Sequence, residues 1–120
     1  ADFYLISNVF HNRLNNPGKL GRRTPLLESD ATSVYALQGT IKRSEISAED
    51  IKNIDSPYNT YTNEGLPPGP ICNPGASAIR AALYPADTDY YFFMHSPTGE
   101  MYVAKTASEH NKNTQMYLYD

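Results

Sequence analysis

At 120 residues the chain has room for one domain and not comfortably for two, and its 40% apolar and 19% charged residues exclude a disordered class. A net charge of −3, with the basic residues scattered, excludes an electrostatic case for nucleic acid or an anionic membrane surface. A lone cysteine, Cys72, excludes an internal disulfide, and no apolar run reaches transmembrane length.

The chain opens with "DFYLISNVFHNRL", where Phe3, Ile6, Phe10 and Leu14 recur near helical spacing, Asp2 can cap and "NNPG" stops. "KLGRR" reads as a solvated turn. "ESDATSVYALQG" predicts a short helix capped by Ser29 or Asp30, with Val34 and Leu37 inward and Gly39 at its end. "SAEDIKN" carries Ser47 and Asp50 at capping-box spacing for another. Farther on, Asn73 is expected to cap a helix with Pro74 at its first position, Ile79, Ala82 and Leu83 on its apolar face, and Tyr84-Pro85 as its close. "YYFFMH" and "MYVAK" around "SPTG" predict a β-hairpin whose first strand is apolar on both faces. Thr106 and Glu109 form a second capping box for a C-terminal helix. The expected class is α+β: several short helices and a β-hairpin in one domain over 1–120, with a long ordered Pro-rich loop.

That loop, "SPYNTYTNEGLPPGPICNPG" from Ser56 to Gly75, holds five of the nine prolines and three of the seven glycines. The prolines pre-set φ, so little conformational entropy remains to be lost on holding a ligand. Tyr58 and Tyr61 offer flat faces with hydroxyl tips, and Asn59, Thr60 and Asn73 offer donors and acceptors. Such a mixture suits a neutral, hydroxyl-rich ligand such as a sugar chain. It equally suits a rigid cover over the core, whose Asn and Thr satisfy the loop's own backbone. Glu28 and Asp30 flank Ser29 just ahead of a helix, where a carboxylate ordinarily caps and complements the dipole. Arg13 has a similar explanation at a helix C-terminus, or could pair with one of those acids. His11, His95 and His110 lie far apart, and no Cys/His metal spacing, phosphate-cradling loop or nucleophile elbow occurs.

The blocks "NVFHNRL", "LESDATSVYAL", "DSPYNTYTNEGLPPGPICNPG", "AIRAALYPADTDYYFF" and "KTASEHN" occur in that order. From about Asn8 to Asn111 they resemble the YceG-like family, whose characterised members are endolytic murein transglycosylases. The resemblance implies non-hydrolytic cleavage of peptidoglycan glycan strands between MurNAc and GlcNAc by a single general-acid Glu, which leaves anhydro-MurNAc ends. No cofactor is implied. Cell-wall synthesis proteins are the implied partners besides the glycan, with no nucleic acid and no direct membrane contact by this stretch. The implied location is the outer face of the bacterial cytoplasmic membrane, through a helical anchor upstream.

The family's Glu lies in an "EKE"-like segment ahead of the block matching "NVFHNRL", and no Glu precedes Glu28 here. The expectation is therefore a piece of the catalytic domain without its upstream part, inactive alone, with Glu28 a distant substitute. Tyr58, Asn59, Thr60 and Tyr61 are the implied substrate-facing residues, with Ser29 and Asp30 across a cleft and Asn12, Arg13 and Asn73 in support. Replacing Asn59 and Tyr61 by Ala is expected to weaken glycan binding without unfolding the domain. The alternative is a non-catalytic peptidoglycan-binding or scaffolding module. An older family label, aminodeoxychorismate lyase-like, demands pyridoxal phosphate. The lysines (Lys19, Lys42, Lys52, Lys105, Lys112) lack a phosphate-binding glycine turn nearby, which argues against it.

Overall fold

The computed structural model describes residues 2–118. Its helices and one two-stranded antiparallel sheet make it α+β, as the sequence predicts. The chain forms two compact units: one holds the described residues up to Asn16 and those from Pro74 onward, the other is Pro17–Asn73.

In the first unit, α1 (Asp2–Asn15) packs against α4 (Ala76–Leu83) and against β1 (Phe92–His95), which pairs with β2 (Met101–Ala104). The buried positions of α1 are Asn8, Val9 and Arg13, whereas Phe3 is 54% exposed. Polar residues go inside because the helix meets an irregular segment, 86–91, whose backbone groups need partners. Thr88 donates its backbone N–H to Asn8 Oδ1 at 2.9 Å, and Asn12 Nδ2 donates to the carbonyls of Thr88 and Tyr90 at 2.8 Å each. Arg13 Nε donates to the Tyr91 carbonyl at 2.7 Å.

α4 corrects the sequence reading twice. Gly75 is its N-cap, so Asn73 and Pro74 lie ahead of the helix, and Asn73 is exposed. Ala81 is buried while Ile79 and Leu83 are 49% and 68% exposed, the reverse of the expected face. A helix that approaches another closely is served by Ala rather than by branched side chains. Tyr84 ends it, as predicted.

The hairpin pairs Phe92 with Ala104 and His95 with Met101. Its turn is closed by Gly99, whose φ of 90° suits glycine, donating to the Ser96 carbonyl at 2.9 Å. Both faces of β1 are covered: Phe93 meets Phe10 edge-on at 5.8 Å, and Phe92 stacks on His110 of α5 (Ala107–Asn113) at 5.1 Å. Thr106 caps α5 by accepting from the Glu109 N–H at 3.2 Å, but its hydroxyl, not its backbone N–H, meets the Glu109 carboxylate.

In the second unit, α2 (Asp30–Leu37) packs against α3 (Ala48–Asn53). Ser29 stands at the cap of α2 without a side-chain cap bond, Leu37 is buried, and Gly39, at φ 83°, follows the helix end. α3 has the whole predicted capping box: Ser47 Oγ accepts from the Asp50 N–H and the Asp50 carboxylate from the Ser47 N–H.

Candidate functional site

The Pro-rich loop is tied to the segment before α2. Gly65 donates its N–H to the Pro25 carbonyl at 2.8 Å, Glu28 to the Thr60 carbonyl at 3.2 Å, and Ser29 to Thr60 Oγ1 at 2.9 Å. The Thr60 hydroxyl also lies 3.1 Å from that of Thr32, which donates to the Ser29 carbonyl. Three consecutive residues, Glu28 to Asp30, thus meet the loop where the helix begins.

Asn59 organises the loop from within. Its Nδ2 donates to the carbonyls of Lys52 and Ile54, at 3.0 and 2.9 Å, which joins the loop to the end of α3. Its Oδ1 accepts from the Tyr61 N–H at 2.9 Å and from the Ser33 hydroxyl at 3.4 Å. A primary amide can donate twice and accept twice, so its capacity is filled. Asn59 is 0% exposed and Thr60 1%. Both were expected to face substrate. The structure gives them the inward role instead, because the turns of this irregular stretch need buried partners and these two side chains supply them.

Burying Asn59 and Thr60 leaves the tyrosines on either side at the surface. The Tyr61 hydroxyl donates to Asp30 Oδ1, an exposed carboxylate. Tyr58 is half-buried and packs on Tyr35 with ring centres 5.0 Å apart and planes tilted by 47°. A Cβ at Gly69 would lie 3.4 Å from the Tyr58 hydroxyl, so the proline–glycine turn closes down on that ring. Tyr35, 38% exposed, is the residue sequence reasoning missed. The signal was its place on α2 five residues after Asp30, although only the fold brings it to Tyr58. Aromatic rings can stack on the apolar face of a sugar ring, and a phenol–carboxylate pair can hydrogen-bond its hydroxyls.

The other expected residues fall elsewhere. Glu28, at φ 51°, is the one non-glycine residue in left-handed backbone among those described, and its half-buried carboxylate pairs with Arg22. The "KLGRR" segment is therefore not wholly solvated. An ion pair stabilises the carboxylate form, whereas a general acid must begin protonated, so this setting does not suit Glu28 to that role. Asn12 and Arg13 belong to the other unit, where they hold the segment ahead of β1, and the Arg13 guanidinium lies 4.7 Å from the centre of the Phe92 ring.

Comparison with known proteins gives one consistent answer. The YceG-like family matches residues 1–116. The Bacillus subtilis protein named endolytic murein transglycosylase is 42% identical over 98% of this chain, and that of Streptococcus pneumoniae strain D39 is 38% identical over 98%. The chain spans 30% and 20% of their respective lengths. The crystal structure of a yceG-like protein from Listeria monocytogenes superposes with a TM-score of 0.76 at 44% identity, over 91% of this chain and 33% of that one. The chain belongs to the YceG-like family.

Proposed function

We propose that the chain is part of a peptidoglycan lytic transglycosylase and contributes a glycan-binding surface made of Tyr35, Tyr58, Tyr61 and Asp30. The observations that carry this reading are the pairing of Tyr35 with Tyr58 and the Tyr61–Asp30 hydrogen bond, both made by a loop that Asn59 ties to α3. The names of the two relatives supply the substrate class.

In the proposed reaction a Glu carboxyl gives its proton to the glycosidic oxygen as the bond to MurNAc C1 breaks. The C6 hydroxyl of the same sugar then bonds to C1 and returns a proton to the carboxylate. No water is consumed, so one carboxylate serves both steps, unlike the pair an inverting hydrolase needs. The role of this unit is to hold the strand in register while that chemistry proceeds. The general acid is assigned to the segment that precedes this one in the longer relatives. A peptidoglycan substrate supports action on the wall side, and the reading puts that action at the outer face of the cytoplasmic membrane, near wall synthesis.

A binding-only module is the second reading, favoured by the engagement of both carboxylates near the loop, Glu28 with Arg22 and Asp30 with Tyr61. Digestion of purified glycan strands by this chain and by an upstream-extended form, with mass spectrometry for anhydro ends, decides between them. Ends made only by the extended form are the expected result. Ends made by the short chain would return Glu28 to consideration as the acid, and silence from both would leave the binding module.

A further inference from the structure

The second unit has a cavity that the glycan surface does not use. It lies at the C-terminal end of α2, has a volume of about 400 Å³, and is lined by Val34, Gln38, Ile41, Lys42, Arg43 and Ile46 among others. That volume falls within the range of small-molecule sites. Three aliphatic side chains, an amide and two cations share the lining. Both Lys42 and Arg43 are exposed, and neither is paired with a carboxylate among the described residues.

The cavity and the aromatic surface both draw on α2. Val34 and Gln38 line it, and Tyr35 lies between them in sequence. On a helix, residues three and four apart are surface neighbours, so Gln38 adjoins both Val34 and Tyr35. A ligand on Tyr35 and Tyr58 has the cavity one helical turn away, about 5 Å along the axis.

A helix C-terminus carries partial negative charge and by itself disfavours an anion. Here three of the last four carbonyls of α2 are bonded. The Leu37 carbonyl accepts from the N–H groups of Thr40 and Ile41, and those of Val34 and Tyr35 accept from Gln38. With those carbonyls occupied, the Lys42 and Arg43 charges set the sign of the site.

We propose that this cavity is a carboxylate subsite that takes the acidic peptide borne on the glycan strand, its carboxylate on Lys42 and Arg43 and its aliphatic side chains on Val34, Ile41 and Ile46. The proposal rests on the glycan-binding reading above. It makes the surface two-part: aromatic rings hold the sugar, and the cavity reads whether the sugar carries a peptide.

The probe is one preparation of glycan strands divided in two, half with peptides intact and half stripped by an amidase, each titrated calorimetrically into the protein. Wild-type protein should bind intact strands roughly tenfold more tightly than stripped ones, as two charge-assisted contacts allow. That preference should shrink as salt rises. The double variant K42A/R43A, which alters exposed positions only, should bind both halves equally and at the stripped-strand affinity. The charge-conserving K42R/R43K should keep the preference. Equal binding of both halves by wild type, or a preference surviving in K42A/R43A, overturns the subsite while binding of stripped strands still upholds the glycan surface. Failure to bind either half overturns both.

Discussion

Each unit holds an irregular segment in place with buried polar side chains, and the two distribute that task differently. Ahead of β1, the backbone from Thr88 to Tyr91 is held by three residues of α1, Asn8, Asn12 and Arg13. Val9, Tyr91 and the Phe10–Phe93 contact add apolar packing there. In the Pro-rich loop a single side chain, Asn59, bonds α3, α2 and the loop's own turn at once, and the bonds that Thr60 and Gly65 add reach only α2 and the segment ahead of it. Shared holding tolerates the loss of a member, whereas concentrated holding does not. The difference suits a surface on which Tyr58 and Tyr61 must be presented together, because one buried amide sets the path of both.

Asn59→Ala probes this contrast most severely. It removes the donor to two part-buried carbonyls and the acceptor of the Tyr61 N–H, and should lower stability by about 2 kcal/mol in urea titration. Loop resonances in an NMR spectrum should shift well beyond the site. This revises the sequence-level expectation that the position could be emptied without cost to the fold. In the other unit, Asn12→Ala removes donors to two carbonyls, but the site is half-buried and Asn8 and Arg13 remain. A loss of about 1 kcal/mol is expected, and a loss as large as that of Asn59→Ala would erase the contrast.

Smaller in stability, but specific to function, is Tyr61→Phe. Removing an exposed hydroxyl should change stability by less than about 0.5 kcal/mol. Binding of stripped glycan strands should nevertheless weaken by roughly threefold, the scale of one modest hydrogen bond. Unchanged binding would take the Tyr61–Asp30 pair out of the glycan surface.

The gentlest test is pH. Burial, and then the nearby Arg13 charge, hold the His110 imidazole below its usual value of 6.5. Its Nδ1 is buried without a hydrogen-bond partner, which fits a neutral ring stacked on Phe92. The unfolded chain takes up its proton first as pH falls. The contribution to stability is therefore whole above 6.5 and is lost as pH drops through the lower folded value. Urea midpoints on either side of that range should fall in acid for the wild type and fall less for His110→Gln. Equal slopes would mean that the ring titrates as if free.

What was legible in the sequence was local. The Ser47–Asp50 capping box, the hairpin around "SPTG" and the glycine ending α2 depend on spacings of a few residues, which a reader of the chain can see. The face of α4 was misread because Ile79 and Leu83 satisfy helical periodicity, while the approach of α1 selected the alanines. The inward turn of Asn59 and Thr60 was hidden for a related reason: Ser33 and Thr32 bond to them across 26 and 28 residues. The composition of the loop pointed to its two roles, scaffold and surface, without saying which residue took which. Tyr35 stayed out of view because its partner, Tyr58, lies on another element.

The position of Asn59 has a consequence for the ageing of the molecule. Hydrolysis of its side-chain amide would change a single group, exchanging –NH2 for a carboxylate oxygen. That oxygen would then face the Lys52 and Ile54 carbonyls, where the nitrogen had been their donor. Once a local opening had let water reach that 0% exposed side chain and then closed, two attractions would have become two repulsions, and the loop would lose its hold on α3. Aged protein should thus shed its ordered tyrosine surface in one chemical step of about 1 Da, while the hairpin unit, whose fastening is shared, stays folded around its own bonds.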